Sequence, residues 1–576
     1  MSRLRALPLG QIGVTALLLL LGVLIVLPVG VLVLGSFLSE APRALHVDWS
    51  GLTLGNYRNV LLDTAFGPLL GSTMGAALAG TMGAAGIGAG LAWLAIRTDV
   101  PGRRALDVVA VMPLFVPPLI GAFAWDILAS PRSGILNIVL RSTGAPFTLN
   151  IYSFAGIGFA YAIYYAPYVY LFVSAALRNM DATLEEAAAM SGAGRLLVLW
   201  HITLPLVAPA LLASSLLVFV LLVELFAIPA VLGEPGNLHF IAVRIWDLIG
   251  FTPPKVNEAS ALGVLMLLMT VALVLIQHKV SSRRAVVTVS GKGQRVRPVT
   301  LGAARWPLAA LGFGYLLLVV VLPTVALLFI ALRRNIFFSS IGAILDTSQL
   351  SFEQFGVAFG DPVVVGTLWN SLTVSTATML LGGGLYFIVS YIVHRTRLPG
   401  RRALDIVTVL PVAIPGIIIG LGYLWSWISV PVGLYGTLWI IILAYVSQFA
   451  PQATRAIAGS LVQIHPELEE SSRLCGAGFL TTLRLIVAPL ARPGIVSAMI
   501  LLFVLSFREL ATALFLYTTG TQLFSLAMFD FWQRGSTGLV AAMALVQCCI
   551  LLVFVLLGQV FQGDRVTSSN LAATGR

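Results

Sequence analysis

The chain alternates long apolar stretches with short polar segments. Once short breaks at glycine and proline are allowed, about twelve runs of roughly 20 apolar residues can be distinguished, a length that matches the hydrocarbon thickness of a bilayer. Each run predicts a membrane-spanning helix. The predicted spans begin near Val14, Pro68, Ala105, Ile151, Pro205, Ala259, Leu308, Gly366, Ala403, Leu434, Pro489 and Thr537.

Composition and charge fit the same picture. The 576 residues are 59% hydrophobic and only 10% charged, which is far more apolar than a soluble domain. The net charge of +11 could indicate nucleic-acid binding, but most Lys and Arg, such as Arg97 and Arg395, fall on one side of the predicted spans. Arg333 and Arg334 are exceptions on an outer loop. This asymmetry predicts cytosolic termini and needs no nucleic acid to explain it.

An internal repeat organises the whole chain. The motif Pro-Gly-Arg-Arg-Ala-Leu-Asp occurs at 101–107 and again at 399–405, an offset of 298 residues. Farther along the offset is 284 residues, which predicts a 14-residue insertion in the first half, within the outer loop 131–150. Each copy has an even number of spans, so the copies are parallel. We therefore predict an all-α integral membrane protein of about twelve transmembrane helices, built as two parallel six-helix repeats.

The repeat also predicts the domain boundaries. The first half covers residues 1–277 and the second half covers 306–576. Residues 278–305 contain seven Lys or Arg and no acidic residue, which is typical of a cytosolic linker. The pair Gly291-Lys292 lacks the other residues of a phosphate-binding loop, so an energy source must come from another subunit.

One motif follows the fourth span of each half. In the first half, loop 181–205 contains Glu186, Ala187 and Ala188, then Gly192, then Pro205. Thr183 and Glu186 would form a capping box at the start of a short helix that closes near Gly192. Small residues leave a shallow helix face on which a partner can dock, and the proline opens the next membrane helix.

The second half repeats this motif with the same spacing. Loop 465–489 contains Glu470, Ser471 and Ser472, then Gly476, then Pro489. An ordinary amphipathic connector is the alternative interpretation. Two copies with the same spacing at matched positions favour a docking helix instead.

These motifs resemble the coupling loops of permeases in type I, binding-protein-dependent ABC importers. The resemblance covers nearly the whole chain. It implies a multi-pass protein of the bacterial inner membrane, an ABC ATPase homodimer docked at both loops and a periplasmic substrate-binding protein outside. It also implies that ATPase closure moves both loops as levers, and that the chain has no catalytic residue or cofactor of its own.

Few ionisable residues lie inside the predicted spans, and each is a candidate for the transport pathway. Glu224 and the pair Arg508-Glu509 occupy nearly equivalent positions, in the helices that follow the two coupling loops. We expect them to face a central cavity. The alternative is an Arg–Glu pair that only holds the helices together.

The fourth span has an aromatic stripe at Tyr161, Tyr164, Tyr165 and Tyr168. Tyr164 and Tyr168 are further pathway candidates, since tyrosines can surround an ammonium group or offer oxygens to ferric iron. Helix packing is the alternative role. No histidine lies in the middle of a span and the three cysteines lack ligand spacing, so we predict no resident metal site.

The fusion of two halves resembles the ferric-iron branch of these importers, which makes ferric iron the expected cargo. Importers of 2-aminoethylphosphonate, thiamine and polyamines are built on related halves and remain alternatives. A different class is an ATPase-independent secondary transporter, in which Glu224 and Glu509 would relay protons. An intramembrane enzyme is disfavoured because the sequence contains no zinc-ligand helix and no nucleophile with a matched base.

Overall fold

A computed structural model gives the fold of most of the chain. Part of the predicted linker, 284–297, lies outside the described residues, and so do both chain ends. Within the described residues the secondary structure is helical, with only isolated β-bridges such as that between Thr98 and Val299. The all-α prediction is confirmed. The structure describes residues 3–40, 49–181, 183–283, 298–336, 338, 340–428, 430 and 432–563.

The first half contains fourteen α-helices among its described residues. They are α1 (Arg3–Leu21), α2 (Leu27–Ser36), α3 (Gly55–Leu62), α4 (Phe66–Arg97), α5 (Arg103–Val109), α6 (Pro118–Ala129), α7 (Ile135–Ser142), α8 (Phe154–Asn179), α9 (Thr183–Met190), α10 (Arg195–Val198), α11 (Leu204–Glu224), α12 (Ala227–Leu232), α13 (Ile241–Gly250) and α14 (Val256–Arg283).

The second half follows the same order. Its α-helices are α15 (Arg305–Leu316), α16 (Leu322–Ala331), α17 (Ile341–Leu345), α18 (Glu353–Gly360), α19 (Pro362–Arg395), α20 (Arg401–Val409), α21 (Gly416–Ile428), α22 (Leu438–Gln448), α23 (Ala450–Leu461), α24 (Pro466–Leu474), α25 (Phe479–Thr482), α26 (Ala488–Arg508), α27 (Phe524–Gln533) and α28 (Thr537–Gly563). The first half has α7 in the loop where the insertion was expected, whereas in the second half the end of α21 and the start of α22 are only ten positions apart in the sequence.

Among the described residues, nine helices are long and apolar enough to cross a membrane. Two further spans are bent pairs, α5 with α6 at 95° and α20 with α21 at 112°, which raises the number to eleven. The remaining predicted span coincides with α22 and α23, which are separated at Phe449 and are each short. Its counterpart α8 runs unbroken through Pro167.

Prolines determine where the long helices change geometry. Four π-helical turns occur among the described residues, and each is followed by an α-helix with proline at its second residue, namely Pro28, Pro205, Pro323 or Pro489. A proline cannot donate to the carbonyl four residues earlier, and its ring clashes with that carbonyl. A wider turn before the proline relieves both problems. The turns are Gly22–Val26, Leu199–Thr203, Leu317–Val321 and Leu483–Val487.

The first span of each half packs against the other half. Helix α2 lies on α21, and the Tyr423 hydroxyl donates to the Leu24 carbonyl at 2.7 Å. Gly422 permits this approach, because a Cβ there would lie 2.5 Å from the Pro28 oxygen. In the opposite direction, the Tyr315 hydroxyl of α15 donates to the Ile163 carbonyl at 2.7 Å. The two halves are therefore interlocked.

The structure gives a local role to Arg333, one of the two exceptions to the charge asymmetry. Its side chain is buried and donates to the carbonyl oxygens of Ala343 and Ile344. The guanidinium also lies 4.6 Å from the ring centroid of Phe329 and 5.4 Å from that of Phe338. This arginine anchors α17 to the end of α16, which explains its presence in the loop.

Candidate functional site

The two coupling motifs fold into the same sequence of elements. In each half a short helix is followed by a glycine turn, a four-residue helix, a π turn and a long membrane helix. The last four of these elements match at the 284-residue offset, down to the bounds of α11 and α26. The spacing in the sequence therefore corresponds to a duplicated structural unit.

A glycine in the left-handed conformation ends the first helix of each unit. Gly192 has φ 83° and Gly476 has φ 85°. After Gly192, the Ala193 amide donates to the Ala188 carbonyl at 3.0 Å, and after Gly476 the Ala477 amide donates to the Ser472 carbonyl at 3.1 Å. Both bonds are those of a Schellman C-cap. The turn fixes the direction of the chain towards the next helix.

The motif residues lie largely on the surface of these units. The side chains of Ala187, Glu470 and Ser471 are exposed, as are both turn glycines, Pro205 and Pro489, whereas Ala188 is half-buried. The side chain of Glu186, and with it the expected capping box, lies outside the described side chains. At the start of α9, the Asp181 carboxylate accepts from the Thr183 amide at 2.9 Å, which lowers the pKa of Asp181.

The sequence interpretation missed the acidic residue just before each motif. Glu469 is buried, and its carboxylate lies 2.7 Å from Nη2 of Arg395, the last residue of α19. Glu185 stands in the same relation to Arg97, the last residue of α4, at 3.6 Å. Both partners recur at the repeat offsets, so the duplication contained the signal that would have identified these pairs.

The pathway candidates lie at the ends of two equivalent helices. Helix α11 ends at Glu224 and α26 ends at Arg508, and in each case the next residue, Leu225 or Glu509, has an extended backbone. At about 1.5 Å per residue, a 21-residue helix places these ends roughly 31 Å from its start. The charged residues therefore lie at the end of the span that is distal to the coupling units.

Arg508 and Glu509 connect parts of the bent spans. Nη1 of Arg508 donates to the Leu114 carbonyl at 2.7 Å, in the turn between α5 and α6 of the other half. The Glu509 carboxylate accepts from the Thr512 amide at 3.2 Å, and the Thr512 hydroxyl donates to the Gly416 carbonyl at 3.0 Å, at the start of α21. Arg508 and Glu509 thus link the end of α26 to the turns of both bent spans.

Glu224 differs from these two residues. Its Oε1 atom is buried and has no hydrogen-bond partner among the described residues. Tyr165 interacts electrostatically with Glu224, Arg508 and Glu509, and its ring stacks on Tyr168 with centroids 5.6 Å apart. Of the five predicted pathway residues, Tyr168 contacts Tyr165 directly, and Glu224, Arg508 and Glu509 lie close enough to act on it through their charges. A buried carboxylate oxygen without a partner is costly, and it suits a site that binds a transient ligand.

Tyr164 has different surroundings from Tyr168. Its side chain is buried against Gly121 of α6, where a Cβ would lie only 2.3 Å from the Tyr164 ring. This contact is helix packing against a bent span. Tyr165, and not Tyr164, lies near the charged cluster of Glu224, Arg508 and Glu509. The spacing of the tyrosines in the sequence did not show how α8 is rotated.

Three aromatic side chains meet close to the end of α11, and we call them the aromatic cover. Trp246 and Phe529 are the sixth residues of α13 and α27, and their ring centroids lie 5.8 Å apart. Phe226, two residues after Glu224, contacts both rings. The three rings therefore form one aromatic cluster that joins the two halves next to the end of α11.

The fold and these sites define a duplicated, polytopic helical membrane protein with two coupling units. It also has an inter-half polar cluster, which consists of Tyr165, Tyr168, Glu224, Arg508 and Glu509. Residues 65–287 and 394–563 match the binding-protein-dependent transport system inner membrane components, and the chain belongs to this family. It is thus the permease type of subunit found in ABC importers, a multi-pass transport component of the inner membrane rather than an enzyme.

Two ferric permeases align over most of the chain, and a molybdenum permease aligns over about a third of it. The ferric transport system permease protein FbpB of Actinobacillus pleuropneumoniae is 27% identical over 488 residues, covering 82% of this chain and 68% of that protein. The Fe(3+)-transport system permease protein FbpB 2 of Haemophilus influenzae is 24% identical over 457 residues, covering 79% and 82%. The molybdenum transport system permease protein ModB of Escherichia coli is 30% identical over 199 residues, covering 34% and 85%.

Proposed function

We propose that this chain is the permease of an ATP-driven ferric-iron importer, passing iron from a periplasmic binding protein to the cytoplasm. The observation that carries the proposal is the duplicated coupling unit in a chain that matches ferric permeases over both halves. Halves 1–277 and 306–576 would each contribute one unit, with 278–305 as the cytosolic linker.

In this proposal an ABC ATPase homodimer binds both coupling units. Two identical ATPase subunits need two equivalent docking elements, and the units centred on Gly192 and Gly476 have the same backbone geometry. The exposed motif residues form the contact, and closure of the ATPase moves the units as levers. Both chain termini then lie in the cytoplasm. The docking residues are Glu186, Ala187, Ala188, Gly192, Pro205, Glu470, Ser471, Gly476 and Pro489.

We further propose that iron passes the inter-half polar cluster during transport. Glu224 offers a buried carboxylate oxygen, and Tyr165 and Tyr168 offer phenolic oxygens, which are the hard ligands that ferric iron favours. Arg508 and Glu509 hold the turns of the bent spans around this site. The aromatic cover opens when the binding protein delivers its cargo.

The test is reconstitution of the chain with its ATPase in proteoliposomes, followed by measurement of labelled ferric-iron uptake with the iron-loaded binding protein outside. We expect uptake that requires ATP, both partner proteins and intact coupling units. Uptake of 2-aminoethylphosphonate, thiamine or a polyamine in place of iron would change the cargo but keep the machinery. Transport without any ATPase would refute the proposal and favour a secondary transporter.

A further inference from the structure

We propose that Arg97 with Glu185, and Arg395 with Glu469, are positioning residues that clamp each coupling helix to the second membrane span of its half. The inference rests on the proposed function, because it assigns these pairs a role in force transmission. The clamps would make each coupling helix and a long membrane helix move as one body.

The clamp in the second half holds the coupling helix at two points, the Glu469 carboxylate and the Ile464 carbonyl. The Arg395 guanidinium binds the Glu469 carboxylate through Nε at 2.8 Å and Nη2 at 2.7 Å. Its Nη1 donates to the Ile464 carbonyl at 2.7 Å, just before α24 begins. The Tyr391 hydroxyl, one turn earlier in α19, donates to the other Glu469 oxygen at 2.8 Å. These contacts fix both the position and the orientation of α24.

The clamp in the first half has the same plan with longer distances. Arg97 lies 3.6 Å from Glu185, and its Nη2 atom is 3.5 Å from the Met180 carbonyl. Glu185 also accepts from the Thr203 hydroxyl at 2.6 Å, at the end of the π turn. Glu185 therefore connects the coupling helix both to α4 and to the π turn that leads into α11.

Burial indicates that these contacts are more than surface ion pairs. The side chains of Arg395 and Glu469 are 9% and 6% exposed, and that of Arg97 is 1% exposed. Charges so far from water persist only when they are paired. Loss of Glu469 leaves Arg395 without a carboxylate partner among the described residues, whereas loss of Arg395 leaves Glu469 with only the more exposed Arg473 as a cationic partner there, at 3.6 Å. By contrast, the nearby pair of Arg178 and Asp107 is half-exposed.

The clamps connect the coupling helices to the body of each half. Helices α4 and α19 have 32 and 34 residues, and each arginine is the last residue, where a positive charge is favoured by the helix dipole. Helix α4 packs on α8 and α11, and α19 packs on α23 and α26. A displacement of a coupling helix is therefore passed directly to a helix that crosses the membrane.

The experiment uses the full chain with its ATPase in proteoliposomes and measures iron uptake per ATP hydrolysed. For Glu469→Gln we expect ATPase binding to persist while uptake per ATP falls about tenfold, a typical size for coupling between sites. Arg395→Gln should likewise keep ATPase binding and lower uptake per ATP. Arg97→Gln should have a smaller effect, because its contacts are longer. Arg178→Gln, which leaves both clamps intact, is the control and should match the wild type.

Charge exchange separates positioning from simple loss of stability. We expect the double variant Arg395→Glu with Glu469→Arg to recover part of the uptake per ATP that either single variant loses. If a single variant fails to fold, Tyr391→Phe removes only one bond to Glu469 and should still lower uptake per ATP. Unchanged uptake per ATP in the folded variants, or no recovery on exchange, would overturn the inference. Failure of the wild-type chain to bind any ATPase would instead refute the proposed function.

Discussion

Replacement of the turn glycines tests the coupling units most sharply. A Cβ at Gly192 or Gly476 would meet no heavy atom within 4 Å, so a side chain at either position fits without a clash. The backbone is nevertheless left-handed at both sites. Alanine in that conformation costs about 1–2 kcal/mol, whereas asparagine adopts it more readily. Gly476→Ala should therefore loosen the turn, and Gly476→Asn should do so less.

The two sites lie in different halves, so their effects should add to about 2–4 kcal/mol in the double alanine variant. Since about 1.4 kcal/mol corresponds to a factor of ten in population, each closed turn would lose roughly a factor of 5–30 relative to its open form. We expect Gly192→Ala with Gly476→Ala to insert normally and to hydrolyse ATP with strongly reduced uptake.

The arginine variants Gly192→Arg and Gly476→Arg add a bulky charge to the docking surface and should uncouple hydrolysis from uptake completely. The assay is uptake per ATP in proteoliposomes, with ATPase co-purification measured alongside. Equal activity of the alanine, asparagine and wild-type proteins would refute the argument from backbone conformation. Normal uptake in the double arginine variant would remove the assignment of these loops to coupling.

Three further variants test other parts of the account. Glu224→Gln should keep or raise thermal stability, because it removes a buried carboxylate oxygen without a partner among the described residues. It should also lower iron uptake about tenfold or more, because a charged contact of about 1.5–3 kcal/mol is lost. Lower stability with normal uptake would contradict this. Gly422→Ala should destabilise the packing between halves by about 1–3 kcal/mol, measured as a lower melting temperature in detergent, whereas Gly384→Ala, with open space around it, should not. Arg333→Gln should lower the melting temperature because the side chain is buried, and exposed Arg334→Gln should leave it unchanged; equal effects would contradict the anchoring role.

The parts of the fold that depend on local chemistry could be predicted from the sequence. Apolar runs predicted the long spans, and duplicated spacing placed Gly192 and Gly476 in matching turns. The bends at the third span of each half could not be predicted from hydropathy, because α5 with α6 together meet the same criteria of length and hydropathy as a straight span. The packing of α2 against α21 could not be predicted either, because contacts between distant parts of the chain produce no periodic pattern in the sequence.

In the candidate sites, too, some features could be predicted from the sequence and others could not. The matching positions of the two motifs could be predicted because their spacing is repeated in the sequence. Glu185 and Glu469 were missed because their partners, Arg97 and Arg395, lie more than 70 residues away and were interpreted only as topology signals. Tyr164 and Tyr165 are adjacent in one stripe, and only the rotation of α8 decides which of them reaches the charged cluster.

The central claim is that both coupling units face the cytoplasm and bind an ATPase. Cys475 is exposed at the end of α24 and provides a native probe once Cys548 and Cys549 are replaced by alanine. Ser191→Cys, in a chain without Cys475, places the same probe in the first half. We predict that a membrane-impermeant maleimide labels either position in inverted vesicles only, and that bound ATPase protects both. Labelling from outside intact cells, or labelling that bound ATPase leaves unchanged, would contradict the account.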